Sequence, residues 1–287
     1  MITKTYFPNS EALGKALAMQ DYEWTEETHL EGPSSEVSGL LMKVGNVFME
    51  NSEFEDAYQV YEEALHLQQA SETSADTVVA TLALIAQAKQ AVGDYDSAFQ
   101  ALSEVLELQT KEEDIADTLY ASGLVLLEGG HHDDALQVLR QAIIVQQHIA
   151  DERGIVDDGF IAMTLDYMGE VHLQLNQLDE AVNTWAESLN MWEQLNRKER
   201  MADTLNSIGV AYFRGGDLYG SLGIYEDAIT AYRSIGAHDM ANSQLAVALQ
   251  NYEMVVKLIE EASTETQSCI VSYHLNGKIN QTGEEHC

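Results

Sequence analysis

Leu205-Asn206-Ser207-Ile208-Gly209-Val210-Ala211-Tyr212-Phe213-Arg214-Gly215-Gly216-Asp217-Leu218 is the stretch that decides the fold. A glycine stands inside an apolar run of helical period, and Gly215-Gly216-Asp217 closes it with a turn signal. Ser221 lies twelve residues beyond Gly209, the bulky Tyr225 sixteen beyond and the small Ala228 nineteen beyond. The same register occurs four more times. Gly45, Ala86, Gly123 and Gly169 are followed by Ala57, Ala98, Ala135 and Ala181. Next come Tyr61, Leu102, Leu139 and Trp185, then Ala64, Val105, Ala142 and Ser188. A fixed order of small and large side chains, repeated along a chain, marks a stack of like supersecondary units.

Glycine in a helix interior costs roughly 1 kcal/mol relative to alanine. Its return in one register therefore points to packing, with narrow residues letting two antiparallel helices approach and a wide one sealing the junction. One such pair cannot bury its apolar face alone, so neighbours stack and the core runs along the array. Phe54, Ala57, Tyr58, Tyr61, Ala64 and Leu65 fall on one helical face, while Glu55, Asp56, Glu62 and Glu63 fill the other. Turns are predicted at Asn51-Ser52, Gly93-Asp94, Gly129-Gly130, Asn176 and Gly215-Gly216-Asp217. Asp94 and Asp217 suit helix N-caps, and Ser52 with Glu55 has capping-box spacing. No segment alternates with the two-residue period of a strand.

The first-helix run Leu41, Val44, Gly45 and Phe48, followed by Phe54, Ala57, Tyr61 and Ala64, recurs as Leu205, Ile208, Gly209 and Tyr212, followed by Leu218, Ser221, Tyr225 and Ala228. With the turn Gly93-Asp94-Tyr95 and Ala98, this wording resembles the tetratricopeptide repeat (TPR) family over residues 38–262. The small slots are 41, 37, 46 and 40 residues apart, longer than the family's usual repeat of about 34. Ala202-Asp203-Thr204-Leu205-Asn206-Ser207-Ile208-Gly209 is similar to the first-helix wording of the kinesin light chain subgroup, whose repeats are long. The fold expected is all-α, an α-solenoid of stacked antiparallel helix pairs (the TPR superhelix).

Residues 1–37 fall outside the register, with a short helix expected over 11–20 and a loop at Gly32-Pro33-Ser34-Ser35. Five repeats and a degenerate sixth or capping helix fill 38–262, and 263–287 reads as a flexible polar tail. Ala150 to Asp158 reads as a long acidic loop. Asp plus Glu number 48 against 14 Lys plus Arg, a formal net charge of −34. Such a surface repels phosphate backbones and anionic lipids, so neither nucleic acid nor membrane is expected as a partner. No segment has the roughly 18–20 apolar residues of a membrane span, and Met1 to Gln20 lacks a secretory signal pattern. Cys269 and Cys287 form no metal spacing. The expected compartment is the cytoplasm.

No catalytic set is found, and no enzyme activity, cofactor or metal is expected. His131-His132-Asp133-Asp134 falls at an inter-helix turn, where polar residues cap. Gly215, Gly216, Gly220 and Gly223 lack the spacing of a nucleotide loop. Met42, Met49, Met163, Met168 and Met191 read as core filler.

The resemblance implies that first helices line a concave groove. By register the groove residues are Lys43 and Asn46 in the first repeat, Gln87 and Gln90 in the second and Tyr120 in the third. Asp166, Tyr167 and Glu170 follow from the fourth, and Asn206, Phe213 and Arg214 from the fifth. Some members clamp a C-terminal carboxylate with cations from successive first helices. Here Gln87, Gln90 and Glu128 stand where cations are needed, and a carboxylate requires several converging donors to offset its desolvation. The function expected is a non-catalytic protein–protein interaction adaptor or scaffold binding a peptide, neutral to basic with apolar anchors. A kinesin light chain-like cargo adaptor and a regulatory accessory subunit are the alternatives. The oligomeric state is left open.

Overall fold

A computed structural model describes residues 34–71, 73–154, 157–236 and 244–281, with side chains from 36 to 264. These residues form eleven α-helices and no strand. In order they are α1 (Ser34–Glu50), α2 (Phe54–Ala70), α3 (Ala75–Val92), α4 (Tyr95–Leu108), α5 (Glu112–Glu128), α6 (His132–Arg153), α7 (Asp158–Gln174), α8 (Leu178–Gln194), α9 (Lys198–Arg214), α10 (Leu218–Ser234) and α11 (Gln244–Gln281). Each repeat is a helix pair, from α1–α2 to α9–α10. The predicted helix at 11–20 lies outside the described residues, and α1 starts at Ser34, inside the expected loop.

Every hairpin turn is built alike. The residue seven beyond the small slot takes a left-handed conformation: Ser52 (φ 62°), Gly93 (88°), Gly130 (79°), Asn176 (57°) and Gly216 (82°). The next amide then donates back to the final turn of the first helix. Examples are Glu53 to the Phe48 carbonyl (2.9 Å), His131 to Leu126 (2.8 Å) and Gln177 to His172 (2.9 Å). That bond closes a Schellman-type end and fixes the reversal. Asp94 and Asp217 are the N-caps expected, accepting from the amides of Ser97 (3.3 Å) and Gly220 (2.8 Å). Ser52 is not one. It is spent on the left-handed turn, and Glu53 enters α2 without a side-chain cap bond. His131 holds the N-cap position of α6, but its ring reaches back to Asp96 (3.2 Å) and makes no cap bond.

The small slots are sites of close approach. A Cβ added at Gly45, Gly123, Gly169 or Gly209 would run into the side chain sixteen residues on, Tyr61, Leu139, Trp185 or Tyr225. Those four large side chains are at most 1% exposed, and Ala57, Ala98, Ala135, Ala181 and Ser221 are fully buried. The chain divides into two compact units, Met1–Asp157 and Asp158–Cys287. In the first, each helix from α1 to α6 packs on the next, around a core that includes Leu41, Val44, Phe48, Tyr61, Ile85 and Leu102. In the second, α7 to α11 do the same. There α7 also touches α9, and α9 touches α11, so first helices lie side by side.

The uneven repeat lengths come from the second helices. The shortest, α4, has 14 residues and the longest, α6, has 22. Ala150 to Arg153, expected as loop, are the last turn of α6. Arg153 is ion-paired with Glu113, and His148 lies 3.1 Å from Glu112, so side chains near the start of α5 hold that turn. The last helix, α11, runs past Ser263 to Gln281, where the sequence shows little periodicity.

Candidate peptide-binding site

The second unit carries a cavity of about 270 Å³ on the first-helix face of repeats four and five. Met163, Asp166, Tyr167 and Glu170 form its α7 wall, at the i, i+3, i+4, i+7 spacing of one helical stripe. Arg200, Asp203, Thr204 and Ser207 repeat that spacing on α9, with Asn206 beside them. Trp185, Tyr232 and Gln244 complete the lining. Four groove residues predicted from the sequence thus converge here: Asp166, Tyr167, Glu170 and Asn206.

Asp166 has a second task. Its carboxylate accepts from Ser188 Oγ (2.5 Å), Trp192 Nε1 (2.8 Å) and Thr204 Oγ1 (3.0 Å), and its backbone carbonyl accepts from Trp185 Nε1 (2.9 Å). One side chain therefore ties α7 to α8 and α9. Burial raises its pKa above the usual carboxylate range, against the pull of those hydrogen bonds and of Arg200. Asp203 is raised for the same first reason, although it accepts from the Tyr232 hydroxyl (2.5 Å). Burial and that bond push the Tyr232 phenol up in turn. Asn206 accepts from Asn251 Nδ2 of α11 (3.2 Å), and Glu170 accepts from Gln174 Nε2 (2.5 Å).

The other predicted residues are placed differently. Phe213 and Arg214 sit at the end of α9, outside this cavity, and the Arg214 guanidinium donates to the Leu173 carbonyl (3.2 Å). In the first unit Lys43 and Gln87 are exposed and Tyr120 is half-buried. Asn46 accepts from the Tyr61 hydroxyl (2.6 Å), and Gln90 donates to Glu128 (2.8 Å).

Two polar slots escaped the sequence reading. Buried threonines stand five residues before the small slot at Thr81, Thr118, Thr164 and Thr204. Polar-tipped residues stand twenty-three after it at Gln68, Gln109, Gln146, Trp192 and Tyr232. At two seams, α2–α3 and α8–α9, the two slots are linked. Thr81 Oγ1 donates to Gln68 Oε1 (2.9 Å), and Thr204 shares Asp166 with Trp192. The threonine register was available in the sequence, but the hydrogen-bond partners that give it meaning lie 13 to 38 residues away. Another cluster was hidden by distance along the chain. Glu112, His148 and Glu152 place ligand-capable atoms within 4.8 Å of one another. Both His148 nitrogens face carboxylates, at 3.1 and 3.6 Å, so contacts among these three side chains themselves account for the cluster.

A sequence profile described as "Tetratricopeptide repeat" matches residues 78–145 and 160–234. The chain belongs to the tetratricopeptide repeat proteins. No curated protein matches its sequence. Among solved TPR-like folds it is similar to BtubC (BKLC) from P. vanneervenii, at 17% identity and a TM-score of 0.58, covering 83% of this chain and 93% of that one. Nearly identical TPR-like repeats from Podosopora anserina, assigned to a kinesin light chain, align at 15% identity and a TM-score of 0.59, covering 73% and 100%. The MamA protein of Desulfovibrio magneticus RS-1 (residues 41 to the end) aligns at 18% and 0.51, covering 71% and 97%. Identities this low speak to the fold alone. In this TPR chain no described helix is long and apolar enough to cross a membrane.

Proposed function

We propose that the chain is a non-catalytic adaptor that docks an extended or helical peptide segment of another protein along its first-helix face. The observation that carries this is the cavity where helical stripes of α7 and α9 bring Asp166, Tyr167, Glu170 and Asn206 together. Aromatic and apolar surface from Met163 and Tyr167 lies beside carboxylates, which suits a neutral to basic peptide with apolar anchors. The surrounding charge of −34 disfavours nucleic acid and anionic lipid. The cytosol is the compartment in which we place this activity.

The test is selection of random displayed peptides on the full chain. Enriched peptides are expected to lose at least tenfold in affinity for a Tyr167→Ala/Asn206→Ala variant whose melting temperature is close to that of the parent. Undiminished binding by that variant, or failure to enrich any peptide, would remove the reading.

A further inference from the structure

The α7–α9 cavity holds more negative charge than its own cation answers. Asp166 and Glu170 lie on successive turns of α7 and Asp203 on α9, while Arg200 is the single cation of the lining. That arginine is exposed and lies over the Trp192 ring, 6.0 Å from its centroid. The carboxylates retain acceptor capacity. An ionised carboxyl offers about four lone-pair sites. Asp166 shows three hydrogen bonds, and Asp203 and Glu170 one each. Beside them lie Met163 and the exposed ring of Tyr167, surfaces on which a methylene stem can rest.

We propose that this cavity is the subsite for one arginine side chain of the docked peptide. Its guanidinium sits among the carboxylates of α7 and α9, and its methylenes lie against Met163 and Tyr167. The acceptors come from two helices. A planar fork with five donors can reach both at once, whereas an ammonium is a compact and strongly hydrated point charge. An acidic side chain is excluded by the same charge. The cavity's volume of about 270 Å³ suits one long side chain. This inference rests on the adaptor reading for the peptide and on the cavity alone for the arginine.

The test is a titration of the full chain with N-acetyl-arginine methylamide at fixed pH and ionic strength. It is followed at the indole N–H resonances of Trp185 and Trp192, both of which donate to Asp166. Saturable shifts are expected. Affinity should be at least tenfold weaker for the citrulline analogue, which keeps the shape and loses the charge, and several-fold weaker for the lysine analogue. A Glu170→Gln variant that melts like the parent should bind the arginine probe several-fold less tightly. Equal responses to arginine and citrulline, lysine as strong as arginine, or tighter binding of N-acetyl-glutamate methylamide would each overturn the assignment. Selected peptides whose affinity ignores an arginine-to-citrulline change would overturn it too, while leaving the adaptor reading in place. If no peptide can be selected, the adaptor reading falls and the titration still decides the subsite.

Discussion

Replacing Gly209 by alanine tests the packing register directly. The new Cβ would lie 2.5 Å from Tyr225 Cε1 and 2.7 Å from Cδ1, against an optimal carbon–carbon separation of about 3.5–4.0 Å. The ring must retreat by about 1 Å. Tyr225 is 1% exposed, so it has no open space to enter. Overpacking of this kind costs about 1–3 kcal/mol, and the gain in helix propensity returns about 1 kcal/mol. Gly223 supplies the internal control. It lies in α10 of the same repeat, and a Cβ there meets nothing within 4 Å. Gly223→Ala should therefore stabilise by about 1 kcal/mol. The propensity gain cancels between the two variants, so urea or thermal unfolding should separate them by about 1–3 kcal/mol. Repeat two already pairs Ala86 with Leu102 in the same two slots. Tyr225→Leu should accordingly cost less in the Gly209→Ala background than in the parent. If Gly209→Ala is as stabilising as Gly223→Ala, or if the double variant shows no coupling, the close-approach argument is wrong.

Other consequences can be measured on the same protein. Thr81→Val leaves Gln68 Oε1 without its buried donor and should cost about 1–3 kcal/mol, while adding Gln68→Leu should restore much of that in the unfolding free energy. Asp217→Ala removes the N-cap of α10 and should cost about 1 kcal/mol by the same assay. Burial raises the Asp166 and Asp203 carboxyls, so the folded chain takes up these protons before the unfolded chain does. Their contribution to stability is greatest below the unfolded carboxylate range and is lost as pH rises through the folded values. Melting temperature should rise as pH is lowered from neutrality toward the ordinary carboxylate range, with a shallower rise in Asp166→Asn; a steady fall would refute this.

Much of this architecture was legible because it rests on periodicity. Small, large and turn residues fall in one register, and the structure returns each of them: Gly209 against Tyr225, Gly216 in the left-handed turn, Asp217 on the cap. Ser52 was misread because its spacing to Glu55 satisfies a capping box, while the hairpin needed it one residue earlier, as the left-handed turn. Ala150 to Arg153 looked like a loop by composition, yet they continue α6, with Arg153 paired to Glu113 forty residues away. A local reading has no access to that partner.

The sequence by itself determined the repeating helix pair, the positions of its turns and the excess of negative charge, since these depend on neighbours within a few residues and on counting. Only the tertiary structure decided which first-helix residues line one cavity. Asp166 and Arg214 are both first-helix residues read as groove candidates. One turns inward to bind three donors from α8 and α9, whereas the other is tied to the Leu173 carbonyl at a helix end. What separates them is the packing of one repeat on the next, which brings residues about forty positions apart within hydrogen-bond distance and sets how much water each carboxylate keeps.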